Sequence, residues 1–142
     1  MQPENVVQPD SNPSSAPHWL QRTELLLGEE VLEKLKNLHV MVIGLGGVGS
    51  FAAEFLARSG VGRMTIVDGD TVDLTNTNRQ LPALHSTVGQ PKTSVMAARM
   101  RDINPELDLI VREEFLTPNS VKTLITQEYD YVFDCIDSVQ PK

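Results

Sequence analysis

The segment HVMVIGLGGVGS, residues 39–50, limits the fold more than any other stretch of the chain. Residues 40–43 are apolar without interruption, the pattern of a strand covered on both faces. Gly44, Gly46 and Gly49 follow with G-x-G-x-x-G spacing. The first glycine permits a tight turn, the second lets the backbone approach a phosphate, and the third allows close packing of helix on strand. The sequence SFAAEFLARSG then reads as a helix, with Phe51, Phe55 and Leu56 expected inward and Gly60 suited to its end. A helix opening directly after such a turn directs unpaired N–H groups at an anion.

The rest of the chain repeats this alternation. RMTIVDGD reads as a second strand ending at Asp68, followed by a polar loop over residues 71–89. KTSVMAARMRDI is a helix stopped at Asn104–Pro105, and LDLIVRE is a third strand. TPNSVKTLI is a helix capped by Thr117, and YDYVFDCID a fourth strand that carries Cys135 as a buried core residue. Upstream, Val31, Leu32, Leu35 and Leu38 recur at helical spacing behind Glu29 and Glu30, and Trp19 is expected to pack that first helical region. The expected class is therefore α/β, a Rossmann-like parallel sheet with helices on both faces. Residues 1–17, rich in Pro, Ser, Asn and Gln, are expected to be a disordered tail before a domain over residues 18–142. The chain stops directly after the fourth strand. The expectation is that it holds only the N-terminal, nucleotide-binding part of the fold.

Composition narrows the function classes. A net charge of −7 argues against a broad nucleic-acid-binding face on this segment. No apolar run approaches the ~20 residues needed to span a bilayer, and no secretory or transit signal is present. One cysteine excludes an internal disulfide and a paired-cysteine zinc cage, which fits the cytoplasm. The three histidines have no second metal ligand at useful spacing.

The glycine turn alone does not separate NAD from ATP, and Asp68 at the end of the second strand suits a ribose in either. Four further features favour ATP. Gly47 makes a glycine doublet, and Asp70 adds a second acid after Asp68. TNTNRQ places Asn76 three residues before Arg79, while VGQPK supplies Lys92. A triphosphate needs such cations, because its charge must be neutralised and the leaving pyrophosphate stabilised. Asp137, at the end of the fourth strand, is placed to hold magnesium between phosphate oxygens.

In combination, GLGGVGS, DGDTVDLTNTNRQ, LHSTVGQPK, INPEL and DCIDSVQPK make residues 22–142 resemble the ThiF/MoeB/ubiquitin-activating superfamily. TNTNRQ and DSVQPK are most similar to its tRNA threonylcarbamoyladenosine dehydratase branch. The resemblance implies adenylation of a carboxylate with ATP and Mg2+. Gly44, Gly46, Gly47 and Gly49 would then form the phosphate turn and Asp68 would hold the ribose. Asn76 and Arg79 would bind phosphate oxygens, Lys92 would stabilise charge on the transferred nucleotide, and Asp137 would bind the metal. Arg22, in RTELLLG, matches an arginine that reaches into the partner subunit's site of a homodimer. Ser138 replaces the superfamily's usual asparagine.

In this branch the carboxylate belongs to the threonylcarbamoyl group on adenosine 37 of tRNA, and its cyclisation follows with loss of AMP. The resemblance also admits a sulfur-relay protein as a further partner. Members continue for about as many residues again. The alternatives are an adenylyltransferase for a ubiquitin-like sulfur carrier in thiamine or molybdopterin synthesis, an NAD-binding oxidoreductase, and a binding module that has lost the reaction.

Overall fold

The computed structural model describes residues 14–125 and 128–137. Four strands, β1 (His39–Ile43), β2 (Arg63–Val67), β3 (Asp108–Arg112) and β4 (Tyr131–Asp134), form one parallel sheet in the order β3-β2-β1-β4. β1 is central, pairing Val40 with Met64 and Tyr131 and Ile43 with Val67 and Asp134. The helices are α1 (Gln21–Leu27), α2 (Glu29–Lys36), α3 (Gly49–Arg58), α4 (Lys92–Ile103) and α5 (Pro118–Ile125). The alternation legible in the sequence is the alternation of the fold.

Strand side chains alternate sides, and helices cover both faces of β1 and β2, whereas β4 is exposed along its length. Val40, Val42, Met64 and Ile66 pack with Ala53 and Ala57 of α3 and with Met96, Ala97 and Met100 of α4. Met41, Ile43 and Val67 point the other way, against Leu124 of α5. α5 opens on a reciprocal cap, in which Thr117 and Ser120 exchange backbone N–H donors for hydroxyl acceptors.

One inward-facing assignment is reversed. Phe51 and Phe55 are 40% and 60% exposed, whereas Gly49, Ser50, Ala53 and Ala57 are buried. α3 lies close to the sheet through its small residues, and its phenylalanines project from the opposite side. Leu56 does pack on the core. Glu54, also buried, is the ion-pair partner of Arg99 on α4 and joins the two helices. On α2 Leu32 is buried and Leu35 packs against the core, as Leu38 does just beyond it, while Val31 is exposed, and Trp19 is itself 39% exposed.

The loop over residues 71–89 is more structured than a solvated connection. It contains 3-10 turns at Leu74–Asn78 and His85–Thr87, buries Val72, Pro82 and Ala83, and closes on itself through Gly89 N–H to Val72 O at 2.8 Å. Cys135 lies one residue beyond β4 and is half-buried rather than set within the strand. Residues 1–13, most of the expected tail, lie outside the described residues; Ser14 and Ser15 donate to Glu24 and Glu29.

Candidate nucleotide site

The four glycines divide into two pairs. Gly44 has φ of +89°, and a Cβ there would stand 2.8 Å from Cys135 O; at Gly49 it would stand 1.7 Å from Gly44 O. The protein's own backbone closes both positions to a side chain. At Gly46 and Gly47 the nearest atoms to such a Cβ are Gln80 Nε2 and Arg79 Cγ, each at 3.6 Å, an ordinary contact. Packing does not require glycine at these two positions. Their openness is what an approaching phosphate requires.

Asp68, immediately after β2, holds this turn in place. Its Oδ2 accepts from Leu45 N–H and its Oδ1 from Asp70 N–H, both at 2.7 Å. Each carboxylate oxygen keeps a further lone pair, so these bonds leave room for a ribose hydroxyl. Ser50 adds a second tie, donating to Gly46 O and accepting from Leu81 N–H at 3.3 Å.

Lys92 is the first residue of α4 and only 6% exposed. Its Nζ lies 3.6 Å from Asp70 Oδ2, and its N–H donates to Asp70 O at 3.0 Å. The hydrogen bonds Asp73 accepts from Thr75 hold its carboxyl below the usual carboxylate range, helped by the charge of Lys92. A lysine this buried beside one partly exposed carboxylate has charge to spare for a second anion. The DGD spacing marks Asp70 as a second acid after Asp68, a feature that favours ATP; its pairing with Lys92 emerges only from the fold.

Arg79 lays its side-chain stem against Gly47. Its exposed guanidinium donates through Nη1 to Thr75 O at 3.3 Å and Asn78 Oδ1 at 2.9 Å. Asn76 builds the turn beneath it: Oδ1 accepts from Asp73 N–H at 3.0 Å, and the Asn76 carbonyl accepts from Arg79 and Gln80 N–H. In this conformation Asn76 is a capping residue that presents Arg79. Gln80, which sequence reading passed over, lies against Gly46 with its side chain buried.

Asp137 is exposed beyond β4, where the preceding Cys135–Ile136 backbone passes beside Gly44. Among the described residues no three His, Cys, Asp or Glu are grouped to hold a metal. A lone hard carboxylate still suits magnesium, which is commonly held by one or two carboxylates with phosphate oxygens and water. Burial, then the charge of Asp134, pushes the Cys135 thiol up, the opposite of an activated nucleophile. Ser138 lies outside the described residues.

Arg22 is not brought to this edge. It is exposed on α1, two residues after Leu20, which packs on Gly60 beyond the far end of α3. The ten residues of α3 separate that end from the glycine turn by about 15 Å. A cleft of about 600 Å³ lined by Trp19, Leu20, Glu24, Glu29 and Asn104 among others also lies away from the turn.

The ThiF family model matches residues 20–142. The chain belongs to the ThiF family. Among its relatives, the tRNA threonylcarbamoyladenosine dehydratase of Bacillus subtilis is 55% identical over 122 residues, 86% of this chain and 48% of the relative. The Escherichia coli molybdopterin-synthase adenylyltransferase is 40% identical over 107 residues, 75% of this chain and 43% of that protein. The E. coli tRNA N6-threonylcarbamoyladenosine dehydratase, TcdA, in complex with ATP is similar in structure, with a TM-score of 0.84 at 47% identity. That match covers 91% of this chain and 54% of the other. This ThiF-family chain thus spans about half the length of the curated relatives it matches.

Proposed function

We propose that this chain is the nucleotide-binding half of an ATP-dependent tRNA threonylcarbamoyladenosine dehydratase. The observation that carries the reading is the buried Lys92 at the same strand-end edge as an open glycine doublet overlain by Arg79. The ATP-bound relative of similar fold supports ATP over NAD. In the reaction, the threonylcarbamoyl carboxylate on adenosine 37 attacks the α-phosphorus of ATP, and the bond to the bridging oxygen of the β-phosphate breaks. Acyl-adenylate and pyrophosphate form. The neighbouring carbamoyl group then attacks the activated carbonyl, AMP leaves, and the net change is dehydration with ring closure.

The residues of this chain bind and orient. Asp68 holds the ribose, the Gly46–Gly47 backbone receives the phosphates, and Arg79 and Lys92 stabilise charge as it moves onto the leaving pyrophosphate. Asp137 would hold Mg2+, which neutralises phosphate charge when bound. Arg22, remote from the glycine turn of its own chain, acts in the site of a second copy of a homodimer. The setting is the cytoplasm, with tRNA as substrate and a sulfur-relay protein as a further partner. Among the described residues no helix is long and apolar enough to cross a membrane.

Calorimetric titration with ATP–Mg2+ and with NAD tests the nucleotide. Binding of ATP alone supports the reading, and preference for NAD overturns it. ATP–pyrophosphate exchange stimulated by threonylcarbamoyl-tRNA tests the substrate. The molybdopterin-synthase adenylyltransferase relative favours a second reading, adenylation of a sulfur-carrier protein. Exchange stimulated by such a carrier and not by the tRNA would establish that reading.

A further inference from the structure

Gln80 is 7% exposed, and its carboxamide makes no hydrogen bond among the described residues. Its Oε1 is a buried acceptor with no donor, while Nε2 faces Gly46. Buried polar groups are ordinarily paired, because leaving one unmade is unfavourable to folding. Thr93 Oγ1 is also unpaired, but within 4 Å a Cβ at Gly46 would meet only the Gln80 side chain. Gln80 differs in its setting. Arg79 lies on Gly47 and Gln80 on Gly46, so two consecutive residues flank two consecutive glycines, one with a cation and the other with a neutral amide. The Ser50 bridge from Gly46 O to Leu81 N–H holds the two segments together.

We infer that Gln80 is a further nucleotide-binding residue, whose Nε2 donates to the phosphate oxygen seated over Gly46. The inference rests on the nucleotide site proposed above and adds to it a contact that does not titrate and carries no charge. Nε2 has no acceptor among the described residues, and a phosphate oxygen supplies one; Oε1, an acceptor, gains no partner from the phosphate.

The test compares the wild-type chain with Gln80→Met, similar in shape but unable to hydrogen-bond, and with Gln80→Glu. Thermal unfolding is measured without ligand, and ATP, AMP and adenosine are titrated by calorimetry. Gln80→Met is expected to unfold at the wild-type temperature or above it. It should bind ATP and AMP about tenfold more weakly, the scale of one hydrogen bond to a charged group, with adenosine unchanged. Gln80→Glu, which puts a carboxylate beside the phosphates, should weaken ATP and AMP further. Should Gln80→Met fail to fold, the nearly isosteric Gln80→Glu decides alone, its loss again confined to the phosphorylated ligands. Unaltered ATP and AMP affinity in a variant of lowered unfolding temperature would make Gln80 a structural residue. Equal losses for all three ligands would remove the phosphate contact. A wild-type chain that binds none of them overturns the nucleotide reading itself, an outcome separate from any effect of the variants.

Discussion

At the amino ends of the strands, polar side chains are paired within the protein. His39 bonds Thr65 Oγ1 at 2.9 Å and Glu128 O at 3.1 Å through its two ring nitrogens, and its N–H donates to Asp130 at 2.7 Å. Arg63 meets Asp108 at 3.2 Å. Asn104, buried, reaches Ala57 O and Val61 O and accepts from Glu106 N–H. At the carboxyl ends lie a buried lysine whose ion-pair partner Asp70 is itself exposed, an unpaired carboxamide and two glycines that packing does not require. Parallel strands direct the openings of their connecting helices to one edge only, where ligands of open α/β sheets bind. One edge is closed to stabilise the fold, and the other keeps capacity for a ligand.

The sharpest way to break this contrast is within the glycine turn. Gly49→Ala puts a methyl into Gly44 O and is expected to lose more than about 4 kcal/mol, seen as the absence of a cooperative unfolding transition by circular dichroism. Gly47→Ala, with an ordinary 3.6 Å contact, should stay within about 1 kcal/mol of wild-type stability while weakening ATP binding. Equal destabilisation by both substitutions would show that the doublet serves packing.

Lys92→Met comes next. Removing a donor whose contacts strengthen in the transition state costs about 3–4 kcal/mol, roughly a hundred- to thousand-fold in pyrophosphate exchange. ATP affinity should stay within about tenfold, ~1.4 kcal/mol, and unliganded stability should not fall. Parallel losses of binding and exchange would make Lys92 a ground-state contact.

At the opposite edge, Asn104→Ala should lower stability by about 1–3 kcal/mol, the range for leaving buried partners unmade, and leave ATP affinity unchanged by calorimetry. A change in affinity would mean that the two edges are coupled.

The smallest effect is one of pH. Burial, and then the charge of Arg63, hold the His39 ring below its ordinary value of 6.5. The unfolded chain therefore binds the proton more readily. Stability present above that value is lost as pH falls from it through the folded value. Urea midpoints should fall between about pH 7 and about pH 5, and less steeply in His39→Gln. Equal slopes would remove His39 from the account.

The β1–turn–α3 unit was legible because its signals are local: an apolar run, glycines at fixed spacing and a helix start. Strand order within the sheet followed no such signal, and neither did the orientation of α3. Large apolar residues at helical spacing suggested that Phe51 and Phe55 faced inward. The sheet instead accepts Gly49, Ser50, Ala53 and Ala57, because close approach of a helix to a sheet selects small side chains. Asn76, Arg79 and Lys92 were legible as residue types suited to phosphate, and the family resemblance assigned them roles. That Asn76 caps a turn, that Asp70 pairs with Lys92, and that Gln80 lies unpaired on Gly46 depended on bringing distant segments together. A sequence by itself determines periodicity and the chemistry available at each position. Which donor meets which acceptor, and which is left without one, is decided by tertiary packing, since hydrogen bonds and burial act through distances that one-dimensional spacing does not contain.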